Sequence, residues 1–177
     1  MRVGLAFAAG MIGWAVMVAL TILLRAIGAT ELNLCMIVGS LFTGQVSTDA
    51  WALGFIAGLI VSGVIALVYA GVFEGLRRAD WRLGLVGGAI HTAVAGVFFA
   101  AMSAFHPAMP DQITPPGPYA INYGVITTVA FVASHLLFGV IVGGMYETVH
   151  VPTPPSRPQP TPEEHAVGAG ERGARWH

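Results

Sequence analysis

The chain has 177 residues, 55% of them hydrophobic and 10% charged, with a mean hydropathy of +0.74 and a formal net charge of −1. Soluble domains carry about 25% charged residues, so this composition excludes an ordinary water-soluble domain. The near-zero charge excludes a bulk electrostatic pull toward nucleic acid. A lone cysteine, Cys35, excludes an internal disulfide and any cysteine-based metal cluster.

A span needs about 20 apolar residues to cross about 30 Å of hydrocarbon. Val3 to Leu24, Ala50 to Phe73, Leu83 to Phe105 and Tyr123 to Tyr146 hold no Asp, Glu, Lys or Arg, and each meets that length. They predict one all-α unit over residues 1–150: a polytopic four-transmembrane-helix bundle with spans at about 3–25, 50–74, 83–105 and 123–147. The first run outlasts the apolar core of a signal peptide, so it reads as a retained signal-anchor.

Between the first two spans lies TELNLCMIVGSLFTG, residues 30–44, apolar yet too short to cross. It reads as a short outer-face helix, interfacial or re-entrant, with Thr30 as N-cap and Glu31 in its first turn. Glu31 and Asn33 could also line a small site there. Cys35 reads as a small packing residue.

The second span carries glycine pairs four apart at Gly54 and Gly58 and at Gly71 and Gly75. Gly84 and Gly88 follow in the third span, and Gly139 and Gly143 in the fourth. In lipid, helices associate by close backbone approach, so such spacing marks helix-packing faces. The short turn GLRRADWR gathers Arg77, Arg78 and Arg82; with no lysine in the chain, it dominates the positive-inside balance. That places this turn and both termini in the cytoplasm. Trp51, Trp81, Tyr119, Tyr123 and Tyr146 fall near span ends, where aromatic belts form. Glu74 and Glu147 stand close to the arginines and are expected to pair with them.

GGAIHTAVAG, residues 87–96, then puts His91 inside the third span, and FVASHLLFGVIVGG puts His135 inside the fourth. Ionisable groups at membrane depth are costly and face a bundle interior. Counting inward from the arginine turn at 1.5 Å per residue, their depths are roughly 12 and 18 Å, so they stand near one level on antiparallel helices. His106, His150, His165 and His177 lie at the interface or in the tail.

HPAMPDQITPPGPYAIN joins spans three and four, with prolines at 107, 110, 115, 116 and 118. It reads as stiff extended backbone, either a strap between spans or a docking ledge. Residues 151–177 are rich in Pro, Gly and charge, form a cytoplasmic tail without a core, and call for a partner if they are ordered.

The motifs GGAIH, HLLFGVIVG and IVGSLFTG, with the glycine-rich first span, resemble those of small bacterial four-helix inner-membrane proteins over about residues 5–147. That resemblance implies the fold and a bacterial inner-membrane location, and no activity. A further histidine that such proteins often carry in the second span is absent from GFIAGLIVSG.

Three functions compete. The leading one is a non-catalytic accessory or structural subunit, without cofactor. It would use its histidines to bond neighbouring helices and meet other membrane subunits through the outer Pro-rich loop (106–122) and the tail. The second is a haem-b electron-transfer protein with His91 and His135 as axial ligands, propionates near Arg77, Arg78 and Arg82, and space from Gly87, Gly88, Gly96 and Gly139. The third is a small proton, ion or solute transporter using the histidines with Glu74 or Glu147. Two histidines alone make a poor metal site, since zinc takes four ligands or three plus water.

Overall fold

A computed structural model describes residues 1–147; the tail and its expected partner contacts lie outside the described residues. Among these, the protein is all α-helical. It has α1 (Val3–Ala26), α2 (Leu34–Thr43), α3 (Thr48–Leu76), α4 (Trp81–Ala101) and α5 (Val125–Glu147). Short 3-10 turns at Met102–Ala104 and Pro118–Tyr123 flank the loop before α5. Helices α1, α3 and α5 and the segment Trp81–Ala104 are each long and apolar enough to cross a membrane, and α2 is the extra short helix.

The spans are antiparallel neighbours. Helix α1 packs on α3 and α5, and α5 packs on α1 and α4, while α2 lies along the start of α3. The main core fills the α1–α3–α5 junction with Ala6, Ala9, Ala66, Tyr69, Phe73, Phe138 and Val142. A second cluster, Leu32, Ile37, Met102, Ala108, Met109, Ile113 and Phe131, closes the end that carries α2.

Glycines set most of the close approaches. A Cβ on Gly139 would lie 2.1 Å from the Gly84 carbonyl oxygen, and one on Gly143 2.9 Å from the Gly84 Cα. Gly88 faces the backbone of His135 and Leu136. Helix α4 therefore buries a stripe at every fourth residue, Gly84, Gly88, Thr92 and Gly96; Gly84 and Gly88 press on α5, and Gly96 seats the Tyr119 ring. Gly54 meets the Cys35 carbonyl and Gly39 of α2, and Gly58 seats the Trp14 indole, whose Nε1 donates to the Phe55 carbonyl at 3.1 Å. Gly71 and Gly75 differ from expectation: both are exposed, with nothing among the described residues within 4 Å of either Cβ position.

The capping of α2 also corrects the sequence reading. Asn33, not Thr30, is the N-cap, its side chain accepting from the Met36 N–H at 3.1 Å, and Glu31 lies before the helix. Thr30 instead turns inward, because its hydroxyl finds Thr127 of α5 at 2.6 Å. The Pro-rich loop folds in as a strap. Ala108, Met109 and Pro116 are buried, while Pro110 and Asp111 stay exposed at its crest. Its anchor is His106, which is 3% exposed. Nε2 donates to the Ile37 carbonyl at 2.9 Å, and Nδ1 accepts from the Ala108 N–H at 3.2 Å.

At the opposite end, the partners of Glu74 among the described residues lie outside the arginine turn. Glu74 accepts from the Tyr146 hydroxyl at 2.7 Å and lies 3.5 Å from the Met1 amino group. Tyr146 is thus a buried cross-link, 1% exposed, rather than a belt residue. Asp80 caps α4, accepting from the Leu83 N–H at 2.8 Å and from Arg78. Those bonds, the backbone one first, hold its carboxyl below the usual carboxylate range. A depressed folded-state pKa contributes stability above the ordinary value, and that contribution fades as pH falls through the lowered one. Thermal melts of Asp80→Asn, which keeps a capping oxygen, are expected to lose part of the wild type's destabilisation below about pH 4. A wild-type acid slope unchanged in the variant would remove Asp80 from that account.

Candidate functional site

The structure brings His91 and His135 together. Their ring centres are 4.9 Å apart and the planes lie at 84°. The cause is the glycine stripe: with Gly84 and Gly88 pressed on Gly139 and the His135 backbone, the side chains beside that seam must meet. His135 is 7% exposed and His91 half-buried.

The His135 Nδ1 stands 2.7 Å from the Phe131 carbonyl oxygen. A carbonyl only accepts, so Nδ1 carries the proton and, in the neutral ring, Nε2 keeps its lone pair. The His91 Nδ1 is buried with no hydrogen-bond partner. The same is true of the Tyr69 hydroxyl on α3, a residue 8% exposed. Tyr69 lies over Gly87, its ring centre 6.2 Å from that of His91 and edge-on to it. Phe131 and Phe138 complete the surround, at 4.3 Å from His135 and 5.3 Å from His91.

Tyr69 was invisible as a site residue in the sequence. It sits in an apolar run, IALVYAGVF, and nothing local distinguishes it from a core aromatic. Only its reach to Gly87 and His91 of α4 reveals it. On the α2 side, a cavity of about 20 Å3 reaches His135 between α1 and α5, with Thr21, Thr30, Thr127 and Ser134 in its wall. That is about the room one water needs.

A haem does not fit this arrangement. Two imidazoles trans on one iron, at metal–nitrogen distances of about 2.0 Å, hold ring centres about 6.3 Å apart with the macrocycle between them. Here the separation is 4.9 Å. The glycines that would give it room are occupied as well. Tyr69 fills Gly87, Tyr119 fills Gly96, and backbone fills Gly88 and Gly139. Arg78 is engaged by Asp80, and Arg82 lies over the Trp81 ring at 5.3 Å. With Arg77, the residue that ends α3 in a left-handed conformation (φ 51°), they belong to the α3–α4 turn. Arg82 is nine residues, about 14 Å, along α4 from His91.

Glu74 and Glu147 stand at the arginine end and do not join the histidines. Among the described residues no three His, Cys, Asp or Glu side chains converge. Comparison with protein-family models, with curated proteins and with solved structures finds no match to this chain.

Proposed function

We propose that the protein is a non-catalytic membrane subunit that joins a larger membrane complex, in a bacterial inner membrane with both termini in the cytoplasm. The observation that carries this reading is the open Gly71–Gly75 pair. Gly54, Gly58, Gly84, Gly88, Gly139 and Gly143 are all covered by other parts of the same chain. Among the described residues nothing covers Gly71 and Gly75, one helical turn apart on an exposed face of α3 with Val68, Val72 and Leu76 beside them. Flat small-residue faces are what transmembrane helices use to approach one another. A helix of another subunit is the natural occupant, with the strap crest at Pro110 and Asp111 and the tail as further contacts. The arginine turn, by the positive-inside tendency, supports the orientation.

Replacing both glycines with leucine tests this. The space around them is open, so the chain should still fold. Purified from its native membrane, the wild type is expected to bring partner subunits at fixed stoichiometry, and Gly71→Leu/Gly75→Leu to come away without them. Wild-type protein that purifies alone, or a variant that keeps its partners, would refute the reading.

A second reading, cation handling, has one observation in its favour. A hydroxyl chain runs from the Leu32 N–H through Thr30 and Thr127 to the Tyr123 carbonyl, beside the cavity that leads to His135. Flux through liposomes holding the purified chain alone would favour it over the subunit reading.

A further inference from the structure

We propose that His91, His135 and Tyr69 form an intramembrane binding site for one divalent transition-metal ion of the imidazole-preferring class, such as zinc. Three donor atoms support it. The Phe131 carbonyl fixes the His135 tautomer and leaves Nε2 with its lone pair. A backbone carbonyl on the distal nitrogen is the support a metal-bound histidine ordinarily has. The His91 Nδ1 and the Tyr69 hydroxyl are both buried and without partners. Unpaired buried polar atoms are rare in folded chains and costly to leave so.

The spacing selects the geometry. Two imidazoles sharing a tetrahedral ion at about 2.0–2.1 Å have ring centres about 5 Å apart. The observed 4.9 Å matches that value and falls well short of the separation across a haem. A phenol oxygen on the same ion would put its ring centre about 6 Å from an imidazole centre. Tyr69 and His91 are separated by 6.2 Å. Two nitrogens and one oxygen leave the fourth position of a tetrahedral ion to water. Histidine and phenolate suit zinc or copper better than magnesium or calcium, which take all-oxygen shells. On binding, the Tyr69 hydroxyl gives its proton to bulk water and the ion takes the phenolate.

The site does not depend on the partner surface, which lies on α3 toward the arginine end. Its test is cobalt binding to the full chain in lipid nanodiscs, with His150, His165 and His177 changed to Gln so that the tail cannot bind. One Co2+ per chain is expected, with the intense visible bands of four-coordinate cobalt, displaced by one equivalent of Zn2+. His91→Gln and His135→Gln should each abolish the bands. Tyr69→Phe keeps the ring that covers Gly87 and should weaken affinity at least tenfold. Helix content by circular dichroism identifies a misfolded variant, and for the tyrosine the shape-conserving Phe keeps the test decisive. A folded chain that shows no such bands overturns the proposal, as do bands that survive either histidine change. Binding that needs both histidines and ignores Tyr69 overturns the three-ligand assignment.

Discussion

Gly139→Leu is expected to abolish the folded bundle, whereas Gly144→Leu, five residues further along α5, is expected to leave it intact. At Gly139 a Cβ would stand 2.1 Å from the Gly84 oxygen and 2.8 Å from the Gly88 nitrogen, and both obstacles are backbone. Neither can rotate away as a side chain would, so α4 has to leave α5. That seam takes in Gly84 and Gly88, half of the buried stripe of α4. Losing it removes most of what holds α4 in place. Overpacking in a well-filled core costs about 1–3 kcal/mol even where side chains yield. A clash of backbone with backbone exceeds that and approaches the whole stability of a domain, about 5–15 kcal/mol. At Gly144 nothing lies within 4 Å of the Cβ position, so the same leucine finds space. Size-exclusion profiles and thermal melts in detergent check the pair. A Gly139→Leu chain that elutes and melts as wild type would mean that α4 does not pack through this seam.

His106→Ala is expected to loosen the α2 end while the spans hold. The imidazole is the joint between the strap and α2, holding the Ile37 carbonyl with one nitrogen and the Ala108 N–H with the other. Alanine leaves both backbone groups without that partner in a place that is 3% exposed in the wild type, and opens a hole beside Ala108 and Met109. The Ile37 carbonyl keeps the Ser40 hydroxyl at 3.3 Å, so the Ala108 N–H is the group orphaned, and a local loss of about 1–3 kcal/mol follows. Hydrogen exchange should rise by about tenfold or more at the amides of 106–113, since each 1.4 kcal/mol of local opening is a factor of ten. Protection in α1, α3 and α5 should change little, because Gln112 still bonds the Val46 N–H and the main core is untouched. Uniform exchange loss along the chain would show that the end and the spans unfold as one unit.

These two changes separate what is local from what is not. The four spans, the short helix between the first two and the arginine turn are all written in runs of residue type. Apolar length and a gap of polar residues need only the chain's own order to be read. The glycine spacing announced close packing, and Gly84, Gly88, Gly139 and Gly143 meet across one seam. The same spacing at Gly71 and Gly75 could not say that this pair faces outward. A span in lipid is apolar on every side, so its sequence carries little signal for rotation about the helix axis, and a packed glycine looks like an open one.

Two histidines at similar depth were likewise legible by counting. Their 4.9 Å separation was not, and it is the distance that decides between a flat cofactor and a single ion. Tyr69 entered the site, Asn33 replaced Thr30 as the cap, and His106 became an anchor for one shared reason. Each depends on which side of one element faces another, far away in the chain. Residue order is enough to read four helices long and apolar enough to cross a membrane, and the positions of the polar residues along each. Which of those residues share a face is settled only by the fold, because helix rotation and loop return are set by contacts between residues far apart in the chain, such as Thr30 with Thr127.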